Sequence, residues 1–294
     1  MPAKIISGKE VAASIREELK QRTARLKEKG VTPGLGVILV GEDPASVSYV
    51  TSKAKGAEEV GIIEETVRLP ADSSEEEILK NVDQLNRDPR FHGVLVQLPL
   101  PKWVNPDKVI NFISPEKDVD GFHPINVGKL LRGEPCPLPC TPYGIQQMLV
   151  RSGYNPEHRH VVVCGRSNIV GKPLVALLMQ KKPGANATVT VCHTGTPDLK
   201  KFTLQADILV AAMGAPKTIT ADMVREGCVV IDVGVNRVAD PTTPKGYRLV
   251  GDCDFEAIKE KAEAITPVPG GVGPMTVTML LMNTIEAAER TLKG

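Results

Sequence analysis

The sequence predicts an α/β protein of two domains with parallel sheets. Three observations predict it. Short continuous apolar runs, such as Val37-Ile38-Leu39-Val40, recur between stretches of helical periodicity, the pattern of strands buried on both faces between covering helices. Four of these runs cluster after residue 160. Between the two halves, residues 114–142 turn rich in proline, glycine and charge, as a functional loop plus a linker would. A chain of 294 residues holds one large domain or two ordinary ones, and 41% hydrophobic residues suffice for a substantial core.

The first half begins with Ser7-Gly8-Lys9-Glu10, which matches a capping box. Val11, Ile15, Leu19 and Leu26 follow at helical spacing up to a stop at Gly30. Gly34 to Gly41 reads as a buried strand, and Gly41-Glu42-Asp43-Pro44 turns into a helix from Ala45 to Val60. Thr66-Val67-Arg68-Leu69 reads as a short strand. Ser73 to Glu77 opens a helix carrying Ile78, Leu79, Val82 and Leu85, and a third strand, Gly93 to Leu98, stops at Pro99.

The second half begins with a helix from Tyr143 to Val150. The run Val161-Val162-Val163-Cys164 is then broken by Gly165, followed by the polar turn Arg166-Ser167-Asn168 and a helical stretch through Leu174 to Met179. Strand, glycine turn and helix make the first half of a βαβ unit, whose helix N-terminus can face a dinucleotide pyrophosphate. The glycines are spaced Gly-x-Ser-x-x-x-Gly rather than GxGxxG, so a simple tight βα connection fits the turn equally well. Further strands are read at Ala187–Cys192, Ala206–Ala212 and Cys228–Gly234, which makes the block a Rossmann-like dinucleotide-binding domain. A long helix, Gly273 to Leu292, ends the chain.

The second strand of that block ends Cys192-His193-Thr194, with no carboxylate before Asp198. A site for NAD usually has an acid there, about 20 residues past the glycine turn, to bind the ribose 2′-hydroxyl. With that acid absent and Arg166 able to fork onto a phosphate, the pattern points to NADP, unless Arg166 is only a solvated surface side chain.

Net charge is +1 with no long run of one sign, and aromatics are 3%. Neither a nucleic-acid surface nor a membrane contact is expected from such a chain. No stretch resembles a signal peptide or a transmembrane helix, and the six scattered cysteines read as reduced thiols. The expected location is therefore cytoplasmic.

Four stretches carry candidate chemistry. Tyr49 and Lys53 stand at i and i+4 and share a helix face, although a helical lysine is most often simply solvated. Gln97 lies at the carboxyl end of a strand, the edge where open α/β sheets hold ligands, or is a satisfied loop amide. Asp118 and Asp120 form a D-x-D that binds a heterocycle or a metal; no third ligand is nearby, and no metal is expected. Thr266 to Thr276 is a Pro/Gly loop that admits a flat ligand close to the backbone, or serves as a rigid linker.

These residues together resemble the bifunctional methylenetetrahydrofolate dehydrogenase/methenyltetrahydrofolate cyclohydrolase family. The resemblance runs over essentially the whole chain. It rests on Y-x-x-x-K at Tyr49–Lys53, VQLPLP at Val96–Pro101, PEKDVDG at Pro115–Gly121, GRSNIVGKP at Gly165–Pro173 and PGGVGPMT at Pro269–Thr276. It implies two α/β domains around a cleft, a folate-binding domain of residues 1–140 plus 274–294 and an NADP-binding domain of residues 141–273. It also implies a homodimer acting on one-carbon derivatives of tetrahydrofolate, in one-carbon metabolism and purine biosynthesis. By the same resemblance Lys53 is the general acid/base, with Tyr49, Gln97 and Asp120 as its catalytic companions. Tyr49, Gln97, Leu98, Asp120, Pro269, Gly270 and Gly271 bind the folate. Gly165, Arg166, Ser167, Thr194, Val233, Gly273 and Thr276 bind the nucleotide. The chain departs from some relatives at Thr194 and in the Lys181-Lys182-Pro183-Gly184 insertion. Two other activities compete: a dehydrogenase without cyclohydrolase activity, and an inactive NADP-binding regulatory protein. The set Tyr49, Lys53, Gln97 and Asp120 argues against the second.

Overall fold

A computed structural model describes residues 2–244 and 246–292 of the chain. The chain forms two compact units. One holds the residues up to Ala12 together with Thr141–Thr276; the other holds Ala13–Cys140 together with the residues from Val277 onward.

The chain opens with β1 (Lys4–Ile5) and α1 (Gly8–Glu28). Ser7 caps α1, its Oγ accepting from Glu10 N at 3.3 Å, and Ile15, Leu19 and Leu26 are buried as their spacing predicts. The three-stranded parallel sheet that follows has the order β3-β2-β4, with β2 (Gly34–Val40) between β3 (Ile63–Leu69) and β4 (Gly93–Val96). Every residue of β2 and β4 is buried, which is why both read as unbroken apolar runs. The edge strand β3 is longer than the expected Thr66–Leu69. Its first three residues, Ile63-Glu64-Glu65, pair with Gly34-Leu35-Gly36 but are half-buried or exposed, so composition hides them.

Helix α2 (Pro44–Val60) starts at Asp43, whose carboxylate accepts from Ser46 N, and stops at Gly61, left-handed at φ 78°. Helix α3 (Glu75–Arg87) buries Ile78, Val82 and Leu85 against the sheet, in a core shared with Ile38, Val40, Phe91, Val94 and Val96. Residues 114–142 are not loop alone. Helix α4 (Pro106–Phe112) precedes them and α5 (Pro124–Arg132) lies within them, each with proline in its first turn; His123 caps α5 and Gly133, at φ 73°, ends it.

The other unit carries a six-stranded parallel sheet. Helix α6 (Cys140–Arg151) leads to β5 (His160–Cys164), α7 (Gly171–Leu178), β6 (Thr188–Cys192) and α8 (Leu199–Thr203). Then come β7 (Ile208–Ala211), β8 (Val229–Asp232) and an antiparallel hairpin of β9 (Asn236–Ala239) with β10 (Tyr247–Val250). Helix α9 (Phe255–Lys259), β11 (Ala264–Ile265) and α10 (Val272–Thr291) complete the chain. The sheet order is β1-β11-β8-β7-β5-β6. The four strands expected are its inner and lateral members, and β11 and β1 extend it.

The expectation grouped residues 1–140, but β1 pairs in parallel with β11 of the larger sheet. Lys4 N donates to Glu263 O and Ile6 N to Ile265 O, while Ile6 is fully buried. Two exposed strand residues leave no apolar run from which this pairing could be read.

Candidate active site

In the smaller-sheet unit, the carboxyl end of β4 and the middle of α2 come together. Gln97 follows β4 directly and its N–H still donates to Ile38 O. Its side-chain Oε1 accepts from Lys53 Nζ at 2.9 Å, and its Nε2 donates to Leu98 O at 2.7 Å. Lys53 is only 8% exposed, so this helical lysine is not solvated as most are; Tyr49, one turn earlier on α2, is 55% exposed. The amine is thus held by one oriented acceptor, with an exposed aromatic ring one turn away on the same helix.

The D-x-D loop divides its two carboxylates between different tasks. Asp118 is buried and accepts from Phe122 N at 3.2 Å, His123 N at 2.8 Å and Asn126 Nδ2 at 2.8 Å. It ties the loop to the start of α5. Asp120 has no such donors; the Cys140 thiol lies 3.8 Å from its Oδ1. Desolvation pushes the Asp120 carboxyl up to about 6, against the pull of the Lys53 ammonium and with the push of Asp118. Among the described residues no group of three or more His, Cys, Asp or Glu side chains is placed to hold a metal ion.

Two residues of this site were not picked out from sequence. Asn283, 1% exposed on α10, donates to Val119 O at 2.7 Å and Leu138 O at 2.8 Å, fastening the strands of chain on either side of Asp120 and Cys140. The available signal was a lone amide within the apolar run Met279-Leu280-Leu281-Met282-Asn283. Cys140 packs under the loop, its thiol donating to Val119 O at 3.4 Å, and burial raises its pKa well above the usual thiol range.

In the larger-sheet unit, a cavity of about 480 Å³ opens at the carboxyl ends of β5, β6 and β7. Gly165, Arg166, Ser167, Thr194 and Met213 are among the residues lining it. This is where neighbouring strands of an open parallel sheet diverge to opposite faces and where such sheets hold nucleotides. Gly165 sits at φ 136°, and a Cβ there would lie 2.1 Å from Ala212 O. A Cβ on Gly171 would meet Gly165 O at the same 2.1 Å, so helix and strand approach through two bare glycines. Ser167 Oγ accepts from Val170 N at 3.1 Å and Gly171 N at 3.4 Å, which closes the turn ahead of α7. Arg166 and Thr194 are exposed at the mouth. Asp198, the first acid after β6, has its carboxylate committed to Lys201 N at the start of α8.

Val233, Gly273 and Thr276 do not line this cavity. Val233 follows β8, Gly273 lies in the first turn of α10, and Thr276 pairs its Oγ1 with Thr141 Oγ1 at 3.0 Å. Pro269, Gly270 and Gly271 form the loop before α10, with Gly270 left-handed at φ 106°. A Cβ on Gly8 would fall 1.7 Å from Gly271 O, so this loop lies directly against the start of α1.

Residues 6–120 match the catalytic domain of the tetrahydrofolate dehydrogenase/cyclohydrolase family, and residues 139–292 match its NAD(P)-binding domain. The chain belongs to the tetrahydrofolate dehydrogenase/cyclohydrolase family. It is 58% identical over 294 residues to the bifunctional protein FolD of Dehalococcoides mccartyi strain CBDB1, covering 99% of both chains. Among solved structures it is similar to the FolD methylenetetrahydrofolate dehydrogenase/cyclohydrolase of Campylobacter jejuni, at TM-score 0.92 and 46% identity over 98% of this chain and 99% of that one. It is also similar to the Trypanosoma brucei FolD complexed with NADP and an inhibitor, at TM-score 0.93 and 40% identity over the full length of both. The Lys53–Gln97 pair and Asp120 fall at or next to the family's catalytic domain, and the cavity at Arg166 falls in its NAD(P)-binding domain.

Proposed function

We propose that this tetrahydrofolate dehydrogenase/cyclohydrolase oxidises 5,10-methylenetetrahydrofolate to the 5,10-methenyl compound with NADP+ and hydrolyses that product to 10-formyltetrahydrofolate. The observation that carries the reading is the buried Lys53 amine held at 2.9 Å by Gln97 on the same unit as Asp120. A dehydrogenase alone has no use for a sequestered amine, because hydride transfer needs position and no proton at the reacting carbon. Bound NADP+ supplies the hydride acceptor. The protein then handles charge. Attack of water on the methenyl cation and opening of the ring both require proton transfer, and Lys53 serves as the shuttle while Gln97 fixes its Nζ. Tyr49 presents its ring to the pterin, and the Asp120 carboxylate accepts hydrogen bonds from pterin N–H groups.

NADP rather than NAD is supported by Arg166 and Thr194 at the mouth of the cavity and by the commitment of Asp198 to a helix cap. The T. brucei structure complexed with NADP points the same way. None of the six cysteines is in a disulfide, which suits a reducing compartment and supports a cytoplasmic location; the homodimer is what the family resemblance implies. Among the described residues no helix is long and apolar enough to cross a membrane.

The test gives methylenetetrahydrofolate with NADP+ or NAD+ to the wild type and to Arg166→Ala. Reduced NADP should form in the wild type. The variant should lose NADP+ affinity by roughly 1.5–3 kcal/mol, the scale of a charge-assisted contact, with little change for NAD+. Equal losses for both cofactors would remove Arg166 from recognition of the 2′-phosphate.

A further inference from the structure

The nucleotide cavity has a wall that the glycine turn does not build. Met213 and Ala215, just past β7, line it. Three consecutive N–H groups there turn away from any strand partner and converge on one buried carboxylate. Asp252 Oδ2 accepts from Met213 N at 2.6 Å and Gly214 N at 3.0 Å; Oδ1 accepts from Ala215 N at 2.9 Å and from Asn236 Nδ2 at 2.9 Å. Asp252 is fully buried. Four donors compensate the charge that burial would otherwise make costly.

A second carboxylate holds the first. Asp232 Oδ1 accepts from Asp252 N at 2.9 Å and Gly234 N at 3.2 Å, and its Oδ2 accepts from Cys253 N at 3.0 Å. The fit leaves no room for side chains: a Cβ on Gly234 would lie 2.1 Å from Asp252 Oδ1, and one on Gly251 1.8 Å from Asp232 Oδ2. The segments 213–215, 234–236 and 251–253 are therefore locked to one another through two carboxylates. Desolvation, with a further push from Asp252, raises the Asp232 carboxyl to about 6.

We propose that Asp252 is a positioning residue for the nucleotide, setting the Met213–Ala215 wall against which the cofactor binds. It touches no substrate and acts only through that wall. The proposal rests on reading the cavity as the NADP site. An amide in its place keeps the shape but turns an NH2 group toward backbone N–H donors, so the wall must shift.

The experiment uses the full-length enzyme and compares wild type, Asp252→Asn and Asn236→Ala. Three readouts are taken: the NADP+ dependence of dehydrogenation, the cyclohydrolase rate on methenyltetrahydrofolate without nucleotide, and the thermal shift on adding NADP+. Asp252→Asn should raise the KM for NADP+ roughly tenfold, with kcat and the cyclohydrolase rate within about twofold of wild type. Asn236→Ala, which removes one of the four donors, should move the same KM in the same direction by less, and it serves as the readout if the aspartate variant does not fold. An unchanged KM for NADP+ in the variants overturns the proposal, as does a parallel fall of both activities and of Tm. A wild type that gives no thermal shift with NADP+ would instead overturn the reading of the cavity itself.

Discussion

Asp120 shows how one residue's surroundings set a testable pH dependence. The two residues before it are spoken for, Asp118 by three donors and Val119 by the core, while Asp120 is left facing a thiol and the Lys53 ammonium. With its carboxyl raised to about 6 by desolvation, it ionises as pH rises through that value. In its proposed role the ionised Asp120 accepts pterin N–H bonds, so KM for the folate should rise as pH falls below about 6. Asp120→Asn should abolish that pH dependence while leaving NADP+ affinity intact. The sign for stability is opposite. Between the unfolded carboxyl value near 4 and the folded value near 6, the folded chain holds a proton that the unfolded chain has lost. Asp120 therefore makes wild-type stability decline as pH rises through this window, relative to Asp120→Asn. Urea titrations at several pH values read the difference, and a wild-type slope matching that of the asparagine variant contradicts the assignment.

At the scale of elements, α10 reaches the Asp120 loop through the Asn283 amide and through Arg290, whose Nη2 donates to Glu116 O at 3.3 Å. Replacing Asn283 with Leu leaves Leu138 O without its amide donor and Val119 O with only the weak Cys140 thiol, in a buried setting. Each orphaned carbonyl costs about 1–3 kcal/mol, so urea unfolding should show a loss of about 2 kcal/mol or more, together with a higher KM for folate. An unchanged KM would mean that the loop holds Asp120 without help from Asn283. The elements also show what was legible in the sequence. Strands β2, β4, β5, β7 and β8 are buried on both faces, so continuous apolar composition marks them. Strands β1 and β11 have two residues each, and β3 begins with Ile63-Glu64-Glu65 at an exposed edge; their pairing is set by the neighbouring strand and not by their own residues. The hairpin of β9 and β10 was missed for the same reason, its residues being partly exposed. Helix α5 was missed although Pro124 at its first turn and Gly133 at its end mark it, because the proline and glycine density around it reads as loop. Tyr49, Lys53, Gln97 and Asp120 were nameable from the order of the motifs. The network of Asp232 and Asp252 was not, since its meaning lies in backbone donors from segments 20 to 39 residues away.

At the scale of the whole molecule, the proposed mechanism divides the chemistry between the two units. Lys53, Gln97 and Asp120 belong to one; Arg166, Thr194 and the wall held by Asp252 belong to the other. Dehydrogenation needs both ligands, whereas hydration of the methenyl cation needs only the folate and a proton shuttle. The two activities should therefore be separable by single substitutions, and Lys53→Gln separates them most directly. Glutamine can still hydrogen-bond to Gln97 but cannot carry a proton. In one reaction of Lys53→Gln with methylenetetrahydrofolate and NADP+, the rate of NADPH formation is compared with the decay of methenyl absorbance. Hydrolysis of the methenyl compound should fall by roughly a hundredfold or more, the scale of a general acid–base group, while NADPH forms at a much less reduced rate and methenyltetrahydrofolate accumulates. Hydrolysis at the wild-type rate in Lys53→Gln would contradict the account.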